Sequence, residues 1–167
     1  SGQIRIQTAE GQCVDLGKAP FPGKHNRQNL LAAVVCAHYL GMNWDEISRA
    51  IGKLSLPERR LQIVEKEGVL FVNDSYNAAA ISVVAALETL PVPRENGKRV
   101  AVIGEMLELG QFSKQCHLDV AMAALAHVDM MFCLGNECQP IYECWQKAQK
   151  PVQLFFDRNE LVQALRK

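Results

Sequence analysis

The stretch Val69-Leu70-Phe71-Val72-Asn73-Asp74-Ser75-Tyr76-Asn77-Ala78 decides how the rest of the chain is read. Its first five residues are an apolar, β-branched run, which predicts a buried strand. The polar cluster that follows predicts a loop at a strand's carboxyl edge, where open α/β sheets bind their ligands. A carboxylate, a phenol and a carboxamide within four residues form a ligand-contacting set. A second edge of the same kind comes later. Arg99-Val100-Ala101-Val102-Ile103 runs into Gly104-Glu105-Met106-Leu107-Glu108-Leu109-Gly110. Two strands delivering polar loops toward one sheet edge predict a site between them.

Outward from these edges, the chain changes rhythm near Pro57. Before it, Ile4 and Ile6, then Val14 and Leu16, predict a hairpin turning at Glu10-Gly11. Leu30, Ala33, Val34, Ala37 and Leu40 follow helical spacing, and Gly41 stops that helix. Asn43 and Glu46 predict a capped second helix ending at Gly52. After Pro57, paired strands are expected at 61–65 and 69–72. Strands at 99–103, 130–134 and 152–156 then alternate with helices at about 82–90, 114–127 and 139–149. Ser113 reads as a helix cap, and Asp157 with Glu160 opens the last helix. Strands alternating with helices of this length mean βαβ units and an α/β fold with a mainly parallel sheet flanked by helices. The last helix reaches Lys167 with no closing edge element, so the chain reads as part of a larger enzyme spanning an interdomain joint.

Composition narrows the function classes. The chain has 167 residues, 49% of them apolar, with 18 basic and 18 acidic residues in balance. No basic field argues for nucleic acid, and no cationic amphipathic stretch argues for a membrane surface. No apolar run approaches a bilayer span. The six cysteines show no C-x-x-C spacing, which favours reduced thiols in apolar segments and a reducing cytoplasm. Gly17–His25 fails as a phosphate-binding loop: five residues separate its glycines, two are prolines lacking an N–H, and His25 stands where a hydroxyl should meet Mg²⁺. No G-x-G-x-x-G is present.

Each candidate side chain has a plain reading beside the functional one. Asn26 can cap its helix. Asn29 lies one turn in, where a carboxamide can offer donor and acceptor to an adenine edge, although composition alone favours a solvated role. Arg59-Arg60 is either a solvated basic pair or a guanidinium that reaches a phosphate. Asp74 forms a turn or contacts a ligand hydroxyl such as ribose. Tyr76 and Asn77 finish the turn or line the ligand. Glu105 and Glu108 make an exposed acidic loop, and His117, on a helix with apolar neighbours, has a structural reading.

Taken together, Gly23-x-His25-Asn26-x-x-Asn29-x-x-Ala32-Ala33, Arg60, Asp74-Ser75-Tyr76-Asn77-Ala78 and Gly104–Gly110 with His117 downstream resemble the Mur ligases, over residues 13–165 or so. The two later motifs resemble the branch that joins D-alanyl-D-alanine to UDP-N-acetylmuramoyl-tripeptide. The resemblance implies that residues 1–57 are the C-terminal part of a central ATP-binding domain. It implies that 58–167 are most of a Rossmann-like C-terminal lid. It implies ATP and Mg²⁺ as cofactors, with the metal ligands outside this chain, and a cytoplasmic, monomeric enzyme of peptidoglycan precursor synthesis. In that chemistry ATP phosphorylates the tripeptide carboxylate and the dipeptide amine attacks the acyl phosphate. A hinged lid gathers the substrates and excludes water. Carried over residue by residue, Asn29 contacts adenine, Arg60 nucleotide phosphate and Asp74 ribose. Tyr76 and Asn77 lie beside nucleotide and dipeptide, and Glu108 and His117 shape a loop or face the dipeptide.

Two departures stand out. The family usually continues Asn-Ala-Asn-Pro, where this chain has Asn77-Ala78-Ala79-Ala80, which predicts a looser loop or altered substrate contacts. Glu105 replaces the usual aspartate. The chain alone, lacking a phosphate loop, is expected to be inactive. The competing readings are another ATP-dependent amide ligase of the folylpolyglutamate synthase type, separable by a substrate panel, and a non-catalytic α/β binding module. The second predicts that Asp74→Ala and Arg60→Ala leave activity intact.

Overall fold

Alternation of Ile4 and Ile6 with polar neighbours makes β1 (Gln3–Gln7), which pairs antiparallel with β2 (Cys13–Lys18). Their inward side chains pack with Leu30 and Val34 of α1 (Lys24–Tyr39) and with Ile47 and Ile51 of α2 (Trp44–Ile51). α2 starts where the sequence predicts. Asn43 Oδ1 accepts from the Glu46 N–H at 2.9 Å, and the Glu46 carboxylate accepts from the Asn43 N–H at 2.9 Å. This reciprocal box satisfies two donors that the first turn would leave unpaired. The computed structural model describes residues 2–9 and 11–166; Ser1, Glu10 and Lys167, and with them the expected turn residue Glu10 and the end of the last helix, lie outside the described residues.

β3 (Gln62–Lys66) and β4 (Val69–Asn73) form an antiparallel ribbon of their own. Its two-residue turn, Glu67-Gly68, takes φ 52° and 79°, the positive pair that a tight hairpin matching strand twist requires. The expectation that Val69–Asn73 is a buried strand is corrected here. Leu70 is 43% and Phe71 52% exposed, because among the described residues β4 pairs with β3 alone and a two-stranded ribbon leaves both faces uncovered. An apolar run without alternation is compatible with either situation.

From Ser75 onward the chain forms a second compact unit, the first ending at Asp74. It contains α3 (Ala80–Glu88), β5 (Val100–Gly104), α4 (Ser113–His127), β6 (Met130–Leu134), α5 (Gln139–Lys147), β7 (Val152–Phe155) and α6 (Arg158–Leu165). The three strands are parallel in the order β5-β6-β7, with Val100 opposite Met130 and Met131 opposite Val152. Each crossover carries a helix, the arrangement parallel neighbours require. Trp145 of α5 is wholly buried and donates its indole N–H to the Ala121 carbonyl at 3.1 Å, which locks α5 to α4. Around it lie Val120, Ala124, Met131, Cys133 and Ile141. Arg99 closes the amino edge of the sheet: its guanidinium donates to the carbonyls of Pro91 and His127, and its own N–H to Asp129.

Ser113 does not cap α4, as the sequence had suggested. A 3-10 turn over Gly110–Phe112 leads straight into the helix, Ser113 is already helical, and its hydroxyl donates to Glu137 instead. At the last helix Asp157 does cap, accepting from the N–H groups of Asn159 and Glu160 at 2.8 and 3.0 Å.

Candidate functional site

The open end of the β3–β4 ribbon places Asp74 against the backbone of Leu61, the neighbour of Arg60. Gln62 pairs with Asn73, so the residues just outside the ladder face each other. The Leu61 N–H donates to Asp74 Oδ1 at 3.0 Å, tying the backbone beside Arg60 to the Asp74 carboxylate. Arg59 and Leu61, on either side of Arg60, take φ 61° and 45°. The left-handed region costs a non-glycine residue about 1–3 kcal/mol and is concentrated at functional sites. Leu61 is buried, which holds the backbone in that form.

Asn29 sits exposed one turn into α1. The turn before it is tightly drawn. Gly23 takes φ 98°, and a Cβ there would stand 2.9 Å from His25 Cε1. Asn26 donates to the Pro22 carbonyl at 2.8 Å, which is how its side chain serves the helix start. His25 Nδ1 is buried without a partner, a polar atom that folding normally leaves paired.

Tyr76 and Asn77 open the second unit and are exposed; Asn77 Oδ1 accepts from the Ala78 N–H at 2.9 Å. At Ala79-Ala80 the turn into α3 is closed by Ser82. The Ser82 hydroxyl accepts from the Ala79 N–H at 3.2 Å and donates to the Ala79 carbonyl at 2.8 Å. The expected looser loop is thus braced from inside the helix.

The loop after β5 is held by a closed circuit of hydrogen bonds. His117, wholly buried, accepts from the Met106 N–H at Nε2 (3.1 Å) and donates from Nδ1 to the Ser113 carbonyl (2.8 Å). That donor and acceptor pattern assigns the neutral ring with its proton on Nδ1. The Ser113 hydroxyl donates to Glu137 Oε2, and the Glu137 N–H donates to Glu105 Oε2 at 3.3 Å. Glu105 is joined to Met106 through the chain, so the circuit closes. Gly135 makes room for it: at φ 106°, a Cβ would overlap the Glu105 carboxylate. Beside the circuit is a cleft of about 260 Å³ lined by Met106, Leu107, Glu108, Leu109, Ser113 and Glu137. Glu108 lies exposed on its wall at φ 63°. His117 has no surface to offer a substrate and acts by shaping this loop.

Beneath the cleft, the Cys138 thiol lies against the carbonyls of Leu134 and Ile103. The hydrogen bond to Cys138, together with burial, pushes the Cys133 thiol up, so it stays protonated and inert. Among the described residues no three His, Cys, Asp or Glu side chains gather as a metal site, and no helix is long and apolar enough to cross a membrane.

The family model described as "Mur ligase, glutamate ligase domain" matches residues 59–167. The chain belongs to the Mur ligases. Mur ligases are ATP-dependent ligases. A UDP-N-acetylmuramoyl-tripeptide–D-alanyl-D-alanine ligase of Escherichia coli (strain K12) is 34% identical over 98% of this chain and 35% of its own length. The ligase of the same name from Bacillus subtilis (strain 168) is 28% identical over 88% of the chain and 33% of its own. A crystal structure of MurF from Acinetobacter baumannii superposes with a TM-score of 0.81 at 30% identity, covering 98% of this chain and 34% of that one. The chain therefore spans about a third of the length of the relatives it matches.

Within this Mur ligase chain, sequence reasoning passed over Ser113, Glu137 and Gly135 as site residues. Gly135 and Glu137 follow a strand's carboxyl end just as Asp74 and Glu105 do, and that position was the available signal. Ser113 carried none, because its hydroxyl partner lies 24 residues away.

Proposed function

We propose that this chain is the C-terminal third of an ATP-dependent ligase that joins D-alanyl-D-alanine to UDP-N-acetylmuramoyl-tripeptide. On this reading residues 1–57 complete the central ATP-binding domain and 58–167 form most of the mobile lid. The observation that carries it is Asp74 bonded to the backbone next to Arg60 at one ribbon end, within a chain 34% identical to a ligase of that name.

The residues present suit a nucleotide. His25 Nδ1 is an orphaned buried acceptor or donor beside Asn29's helix turn, a pairing of groups that a purine edge can satisfy. Arg60 supplies a permanent cation for phosphate, and Asp74 an acceptor for ribose hydroxyls. Bound ATP supplies the phosphoryl group that activates the tripeptide carboxylate. Mg²⁺ would be held by ligands outside this chain. The chain's own contribution is to position: in the first unit we assign Arg60 and Asp74 to the nucleotide, and in the second we assign Tyr76, Asn77 and the loop carrying Glu108 to substrate contacts. Anchoring the lid on the nucleotide brings the reactants to attacking distance and shuts out water that would waste the activated carboxylate.

The test is ATP turnover by the full-length ligase with D-alanyl-D-alanine varied. Asp74→Ala and Arg60→Ala are each expected to lower kcat/KM for ATP by about tenfold or more, since each removes a charge-assisted contact. Unchanged kinetics in both variants would leave a non-catalytic binding module as the better account. Turnover dependent on D-alanyl-D-alanine by the 167-residue chain alone would overturn the assignment of ATP binding to a preceding domain.

A further inference from the structure

The circuit Glu105–Met106–His117–Ser113–Glu137 contains two residues that neither the family motifs nor the proposed nucleotide contacts employ. We infer that Ser113 and Glu137 are positioning residues for the incoming dipeptide: their bond ties the first turn of α4 to the turn before α5 and fixes the part of the cleft wall that the dipeptide's amino end meets beside the 106–110 loop. The inference rests on the proposed reading that this loop faces the dipeptide.

Three observations support it. First, the bond from Ser113 to Glu137 lies on the wall of the cleft, where Glu137 is exposed and Ser113 half-buried. A solvent-exposed polar contact contributes little net stability, so this bond serves the cleft's shape more than the fold. Second, the loop is held against its own preference. Glu108 sits at φ 63°, and a non-glycine residue keeps that form only when its surroundings impose it. Third, the circuit joins three separate pieces of chain: the end of β5, the first turn of α4 and the turn before α5. Opening it at Glu137 frees the wall of the cleft and leaves Met106 and His117, the buried half, still bonded.

The last point supplies a clean experiment in the full-length ligase. Glu137→Ala removes the acceptor at the exposed end of the circuit. Its KM for D-alanyl-D-alanine is expected to rise by about tenfold or more, in line with the effect of a small misplacement of a reacting group. KM for ATP and the melting temperature are expected to stay at wild-type values. Glu137→Gln, which keeps an oxygen able to accept from Ser113, is expected to restore dipeptide KM most of the way. Ser113→Ala is expected to match Glu137→Ala, and it carries the test if Glu137→Ala fails to fold. A dipeptide KM unchanged in folded Ser113→Ala or Glu137→Ala overturns the inference, as does an equal rise in KM for ATP. If wild-type turnover is indifferent to D-alanyl-D-alanine, the failure belongs to the reading under Proposed function, and the positioning role falls with it.

Discussion

The two units of this chain are built to different standards of enclosure. Among the described residues, the second unit buries a continuous cluster around Trp145, in which a histidine and an indole N–H both find partners. The first unit buries Leu16, Leu30, Val34, Ile47 and Ile51 and leaves Leu31, Val35 and Tyr39 along α1 at 48, 56 and 89% exposure. These three recur every fourth residue, so α1 carries apolar side chains on a second face besides the one against β1 and β2. Enclosure and recognition are therefore divided differently. In the second unit the candidate cleft stands on a packed sheet edge, whereas in the first the candidate nucleotide contacts stand on a ribbon end and an exposed helix turn.

The largest expected effect separates the two cores. Trp145→Ala should destabilise the second unit by about 3–5 kcal/mol, the usual cost of emptying a large aromatic site. Ile47→Ala should cost the first unit about 2–5 kcal/mol, enough to abolish protection of α1 if its core is as thin as it looks. Amide hydrogen exchange, read separately over β5–β7 and over α1, checks both. Loss of protection in both units from either substitution would break the division.

A smaller effect sharpens the account of the first unit. Asn43→Ala removes half of the capping box on α2 and should cost about 1 kcal/mol, measured by urea denaturation. A change within error would mean that packing of Ile47 and Ile51 alone holds the helix.

The smallest concerns Asp15. A hydrogen bond from the Gly17 N–H, then one from Gln3, holds its carboxyl below the usual carboxylate range. A group whose folded pKa is lowered stabilises the fold above its unfolded value, near 3.9 for aspartate, and loses that contribution as pH falls through the folded one. The first unit should therefore lose a slight increment of stability below about pH 4. Asp15 is exposed to solvent and the increment is correspondingly minor. Asp15→Asn should flatten that part of the pH profile, followed by circular dichroism from pH 5 to 2.5.

What could be read in advance follows the range of the forces involved. The α2 box was legible because Asn43 and Glu46 are three residues apart and satisfy each other. The alternation of β5, α4, β6, α5 and β7 was legible because each apolar run is ended by its own glycines and polar residues. Burial of β4 was not, since Val69–Asn73 lacks the alternation that distinguishes one covered face from two open ones. Nor was the fate of Ser113, whose local context reads as a cap while its partner arrives from the next βα turn. Among the site residues, nothing in the sequence links Arg60 to Asp74, fourteen positions apart; the register of the ribbon sets Asp74 against Leu61, the neighbour of Arg60.

Gly135 carries a consequence for inheritance. A side chain there would push the flexible end of Glu105 aside, and φ 106° strains any residue that carries a Cβ. A lineage that exchanges the glycine therefore takes on backbone strain and loosens the hold of Glu105 on the Glu137 N–H, while Glu105 itself is free to stay.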